Sequence, residues 1–261
     1  MCDIMKEKRP LILVGNDDGY SFNGIHTLID VAREFGDVVV SAPTEFQSGK
    51  GSAITITVPL RATLHVDEPG LKVWLVNGTP ADCCKLALDQ LLDGRVPDLV
   101  LSGINHGANL GVASLNSGTM GVIFEGCVHG IESVAFSYGN YSYDADMSAC
   151  VPVLRNVIAR VLDHGLPRGV CLNVNIPYDK GPLKGYKVTS TCMGRWVHEF
   201  ERRTDPHGHD YYWMTGEYAP HYTAGEDTDL YNFNRGWVTV TPCHVDQTDH
   251  EAMPAIERLL Q

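Results

Sequence analysis

Leu11-Ile12-Leu13-Val14-Gly15-Asn16-Asp17-Asp18-Gly19 is the stretch that orients the whole chain. Four successive apolar residues, without alternation, suit a strand buried on both faces, which is the habit of parallel sheets. The run stops abruptly in a polar turn carrying two adjacent carboxylates. The residues that follow have helical spacing: Ile25, Leu28, Ile29 and Ala32 predict one buried face over 25–35. Strand, polar turn and helix together make the opening of a βα unit.

The same alternation continues outward. Val38-Val39-Val40-Ser41-Ala42-Pro43 reads as a second buried strand, followed by a polar loop over 44–52 that contains Ser48-Gly49. A third strand over 73–76 runs into Asn77-Gly78-Thr79-Pro80. There Thr79 is an N-cap and Pro80 the first residue of a helix reaching about Leu92. A fourth strand over 98–104 ends at Asn105. A glycine-rich loop over 106–117 then leads to a helix over 118–129, and a fifth strand covers 133–137. One more helix is expected over 145–164 and one more strand over 170–176. Repeated βα units with apolar strands predict an α/β fold, a doubly wound and mostly parallel sheet. Past residue 178 Pro, Gly, His and aromatics become dense. The expectation is a core over 1–180 and, over 181–261, an irregular β-rich extension with strands at 211–214 and 237–241 and a helix over 251–260.

The 261 residues suffice for one large α/β domain. A net charge of −12 argues against a nucleic-acid groove or an anionic membrane surface as partner, yet leaves a small phosphorylated ligand open, because a bound cation reverses the local sign. The eight cysteines show no CxxC spacing and several lie inside apolar patterns. They read as reduced, buried thiols of a cytoplasmic protein. Residues 1–10 carry no apolar signal core, and no apolar run approaches a membrane-spanning length.

In doubly wound sheets ligands bind beyond the carboxyl ends of the strands. Those ends carry Asp17-Asp18, Ser48, Gly78-Thr79, Asn105 and, further on, Asn109 and Ser117-Gly118-Thr119. Two adjacent carboxylates repel unless a cation lies between them, and with neutral oxygen donors they suit Mg²⁺ or Mn²⁺ better than zinc. Locally Asp17-Asp18-Gly19 also suits an ordinary turn. Ser117-Gly118-Thr119 opens a helix, a place that favours phosphate but equally needs an ordinary N-cap. His207, His209 and His221 lack the spacing of a zinc site, and Tyr211, Tyr212 and Trp213 suit packing more than base stacking. Neither GxGxxG nor GxSxG is present.

Six blocks in order carry a resemblance: Asn16-Asp17-Asp18-Gly19, Ser48-Gly49, Gly78-Thr79-Pro80-Ala81-Asp82-Cys83, Ser102-Gly103-Ile104-Asn105 with Gly107 and Asn109, Ser117-Gly118-Thr119, and Glu125-Gly126. The chain resembles the SurE family of stationary-phase survival proteins, 5′/3′-nucleotidases. The resemblance implies a Rossmann-like core with a C-terminal β extension that joins subunits into a homodimer or homotetramer. It implies hydrolysis of nucleoside 5′- and 3′-monophosphates, and of short polyphosphate, with one divalent cation per subunit. The metal ligands it implies are Asp17, Asp18, Ser48 and Asn105, and the phosphate contacts are Asn109, Ser117, Gly118 and Thr119. Asp18, His106 and Lys50 are candidates for the proton donor to the leaving ribose oxygen. Gly15, Asn116 and the segment Glu226-Asp227-Thr228-Asp229 depart from the family pattern without removing a proposed ligand.

Two other readings compete. A haloacid-dehalogenase-type phosphatase would use Asp17 as a covalent nucleophile, but that type needs DxD and the two aspartates here are adjacent. A non-catalytic nucleotide-binding or assembly protein would keep the pocket without turnover.

Overall fold

The computed structural model describes residues 9–220 and 225–261. In chain order it has β1 (Leu11–Gly15), α1 (Asn23–Phe35), β2 (Asp37–Pro43), β3 (Ala62–Glu68), β4 (Leu71–Val76), α2 (Pro80–Leu86), β5 (Leu99–His106), α3 (Gly118–Val128), β6 (Ser133–Tyr138), α4 (Val151–His164) and β7 (Val170–Ile176). Then follow β8 (Tyr186–Val188), β9 (Gly194–Val197), β10 (Phe200–Thr204), β11 (Asp210–Met214), β12 (Glu217–Pro220), α5 (Asp229–Phe233), β13 (Val238–His244) and α6 (Met253–Leu260).

Nine strands form one sheet in the order β3-β4-β2-β1-β5-β6-β7-β13-β8. The six from β4 to β7 are mutually parallel. Ranked among themselves by chain order they run 3-2-1-4-5-6, the Rossmann order, so the topological switch point falls between β1 and β5. Antiparallel strands flank this set, β3 against β4 and β13 against β7.

The apolar run of β1 is explained by its two coats. Ile12 and Val14 pack with Ile25, Leu28, Ile29 and Ala32 of α1 and with Leu154, Ile158 and Val161 of α4. Leu11 and Leu13 point the other way, among Cys84 of α2, Val122 of α3 and Val100 of β5. The predicted face of α1 is the buried face. Thr79 caps α2 in a full capping box with Asp82, and Pro80 opens the helix.

Several boundaries differ from expectation. The helix predicted over 145–164 starts at Val151, because residues 145–150 form turns whose Ala145, Met147 and Cys150 are buried and mimic a helical stripe. The helix predicted to reach Leu92 is α-helical only to Leu86 and continues as a π turn over Ala87–Leu91. The edge strand β3 has no sequence signature because most of its side chains are solvated. Beyond residue 178, β8 and β13 extend the main sheet itself, while β9 to β12 form two separate two-stranded ribbons. Among the described residues no helix is long and apolar enough to cross a membrane. All seven described cysteines are free thiols, and six of them are buried. His207 and His209 lie in the exposed turn between β10 and β11, where His209 reaches Asp205, whereas His221 lies outside the described residues.

Candidate functional site

The switch point is where the chemistry gathers. Asp17 and Asp18 follow β1 one residue on, after Asn16, and both are buried. Asn105 and His106 end β5, beyond an irregularity in its pairing with β6 between Ser102 and Asn105 and next to a cis peptide at Gly103-Ile104. One buried hydroxyl links the two strand ends. Thr119 Oγ1 lies 2.5 Å from Asp17 Oδ1 and 3.3 Å from Asn105 Oδ1. A hydroxyl has one proton, so the shorter contact to the carboxylate takes it. Asn105 Nδ2 donates to the Gly107 carbonyl at 2.8 Å, which turns Oδ1 toward the Thr119 hydroxyl. Asp18 Oδ2 accepts from the His106 backbone N–H at 3.2 Å and faces His106 Nδ1 at 2.8 Å. The aspartate pair and the asparagine that closes the fourth strand of the parallel set are therefore neighbours.

The loop after β2 is drawn to the same place: the Gln47 N–H donates to the Asp17 carbonyl at 2.8 Å and brings Ser48 to the rim. Asp17, Asp18, Ser48 and Asn105 all line one cavity of about 600 Å³, with His106, Asn109 and Ser117. Burial and the Asp18 charge push the Asp17 carboxyl up to about 6, against the opposing pull of the Thr119 hydroxyl and backbone N–H. Among the described residues no Lys or Arg lines the cavity to offset its carboxylates.

The phosphate-contact residues implied by the resemblance divide into two groups. Ser117 and Asn109 line the cavity. The Ser117 Oγ accepts from the Met120 N–H at 3.3 Å, so its own proton stays free to donate. Asn109 Nδ2 donates to Ser137 Oγ at 2.9 Å, and its backbone is clamped by Asn173 and Asn175. Gly118 and Thr119 stand behind the cavity instead, against Asp17. A Cβ on Gly118 would come within 2.7 Å of the Asp17 Cβ, so only glycine lets the start of α3 approach the carboxylate this closely. Thr119 is fully buried with its hydroxyl and its N–H on Asp17. Of the proton-donor candidates, Asp18 and His106 line the cavity and Lys50 does not. His106 Nε2 is buried without a partner.

Sequence reading missed the aromatic wall. Phe46, Tyr141, Tyr143 and Trp196 line the same cavity, whereas Tyr211, Tyr212 and Trp213 are exposed on β11 and do not. These rings come from loops and an arm far apart in the chain, and no local pattern marks them.

Comparison with known proteins agrees with this geometry. The family model described as "Survival protein SurE" matches residues 12–198. A protein of Bacteroides thetaiotaomicron named 5′-nucleotidase SurE is 45% identical over 244 residues, 94% of this chain and 93% of its own length. One of Phocaeicola vulgatus with the same name is 43% identical over 249 residues, 95% of this chain and 96% of its own. The crystal structure of the SurE protein from Aquifex aeolicus superposes with a TM-score of 0.81 at 36% identity, covering 97% of this chain and all of that one. A matching family model, a shared fold and likeness along nearly the whole chain lead to one conclusion: this chain belongs to the SurE family.

Proposed function

We propose that the chain is a divalent-metal-dependent phosphomonoesterase that hydrolyses nucleoside 5′- and 3′-monophosphates. One observation carries this reading: two buried adjacent carboxylates meet an amide oxygen and a hydroxyl at the switch point, with no Lys or Arg among the described residues lining the cavity to neutralise them. Carboxylate, amide and hydroxyl oxygens are the donors Mg²⁺ and Mn²⁺ prefer, and the raised Asp17 carboxyl marks a charge that lacks its partner. Asp17, Asp18, Ser48 and Asn105 would hold one such ion. When bound, it supplies a Lewis acid for phosphoryl oxygens and a water acidified enough to attack phosphorus. The name shared by the relatives, 5′-nucleotidase SurE, supports the reaction class.

The chain's own groups supply the rest. Thr119 and Gly118 fix the Asp17 carboxylate, and Gly107 fixes the Asn105 amide. Ser117 Oγ–H and the second Nδ2 proton of Asn109 are donors available to phosphate oxygens. His106, held by Asp18 through Nδ1, can carry from Nε2 the proton that a departing ribose oxygen needs. The lack of Lys or Arg along the cavity among the described residues favours a monophosphate over polyphosphate. Phe200 and Tyr212, exposed apolar residues on one side of the β10–β11 ribbon, offer a face for joining copies into a homodimer or homotetramer.

The test is phosphate release from a panel of nucleoside monophosphates with Mg²⁺ or Mn²⁺, against the same assay in EDTA. Metal-dependent release that Asp17→Asn and Asp18→Asn abolish is the expected result. Wild-type rates in both variants would refute the assignment, and no release with any ion would favour a binding protein.

A further inference from the structure

The cavity has a second half that the phosphate chemistry does not use. Phe46, Tyr141, Tyr143 and Trp196 line it while remaining 48%, 73%, 57% and 40% exposed. Large rings left that open are not core packing; at the mouth of a concave site they offer apolar faces to a ligand. Two of them are also pinned. Tyr143 packs against Phe22 at 5.1 Å between ring centroids and edge-on to Phe46 at 6.0 Å and 89°. Tyr141 lies over the backbone of Gly107, whose φ of +107° and missing Cβ make room; a Cβ there would come within 2.4 Å of the ring. Trp196 reaches in from β9, on the arm beyond the core.

Charge narrows the ligand. Asp17, Asp18 and Glu199 line the cavity, and among the described residues no Lys or Arg does. Beyond the polar groups around the phosphate end, the rings are the broad apolar faces this cavity offers a substrate. A planar, uncharged, polarisable group fits them, and a volume of about 600 Å³ falls within the ~300–1,000 Å³ of ordinary small-molecule pockets.

We propose that Phe46, Tyr141, Tyr143 and Trp196 form a stacking slot for the nucleobase, so that this chain selects nucleotides over sugar phosphates through base contact. The proposal rests on the phosphomonoesterase reading and adds the determinant of substrate choice. Stacking tolerates any base, since every base has a π face, so the slot separates nucleotides from other phosphomonoesters more strongly than it separates one base from another.

The decisive quantity is the ratio of kcat/KM for AMP to that for ribose 5-phosphate, which keeps the sugar and the reacting phosphate and lacks the base. Measured with Mn²⁺, the wild-type ratio should be about tenfold or more. Phe46→Ala and Tyr143→Ala should each lower it by roughly fivefold or more. Tyr143→Phe should keep it, because the ring face and not the phenol makes the contact. Trp213→Ala should keep it as well, since that ring does not line the cavity. A wild-type ratio near one overturns the proposal, and so does a ratio unmoved by both alanine variants or lost equally in Tyr143→Phe. If the wild type releases phosphate from neither compound, the phosphomonoesterase reading itself has failed and the slot falls with it.

Discussion

Asp17→Asn should make the metal-free protein more stable while removing its activity. Burial and the neighbouring Asp18 hold the Asp17 carboxyl at about 6 in the fold, against an ordinary value of 3.8. A carboxyl raised on folding is satisfied when protonated. Its contribution is favourable below the unfolded value and is lost as pH rises through the folded one. The gap between the folded and unfolded values corresponds to about 3 kcal/mol at pH 7.5, where the wild-type group is ionised, and to about 1 kcal/mol at pH 4.5. Asparagine keeps the shape without the charge, and its Oδ1 can still accept from Thr119 Oγ1. An amide NH₂ facing the remaining Thr119 N–H offsets part of the gain, which leaves an expected stabilisation of roughly 1–3 kcal/mol. Urea unfolding in EDTA at pH 7.5 and 4.5 measures this, with the variant's advantage shrinking at the lower pH. The same titration in Mn²⁺ should stabilise the wild type and leave the variant where it was, with phosphate release down at least about a hundredfold. An Asp17→Asn protein that is less stable than wild type in EDTA at pH 7.5, or that gains equally from Mn²⁺, would refute the reasoning.

Gly118→Ala places a Cβ within 2.7 Å of the Asp17 Cβ, so the start of α3 must move away from the carboxylate; Mn²⁺ affinity and kcat/KM should each fall by about tenfold or more with the far-ultraviolet circular dichroism unchanged. His106→Asn should slow AMP hydrolysis by roughly a hundredfold. It should slow p-nitrophenyl phosphate much less, because that leaving group needs no proton, and equal losses on both would remove His106 as the donor. Asp82→Ala strips the capping box of α2 and the two bonds from Thr55, leaving half-buried donors without their carboxylate; urea denaturation should register a loss of about 1–2 kcal/mol.

How much of this was legible in the sequence depended on burial. The β1 run could be read because Leu11 and Leu13 face one helical layer while Ile12 and Val14 face the other, so every position had to be apolar. β3 could not be read, since an edge strand with solvated side chains carries no such constraint. The turns over 145–150 misled because Ala145, Met147 and Cys150 are buried without being helical; Pro152 in the first turn of α4 marked the true start. Asp17, Asp18 and Asn105 were legible as polar residues closing apolar strands, which in a doubly wound sheet places them at the ligand edge. The role of Thr119 was not, because a threonine after an N-cap gives no local sign that its hydroxyl will serve a carboxylate 102 residues away. The aromatic wall was hidden for the same reason: its members meet only when the loops after β2 and β6 and the β9 arm fold over one cavity.

The most direct measurement is anomalous diffraction from crystals of this chain soaked in Mn²⁺. One peak per subunit is predicted, within bonding distance of Asp17, Asp18, Ser48 and Asn105. A protein that hydrolyses AMP in Mn²⁺ yet shows no peak there, or shows its peak among other residues, would contradict the account.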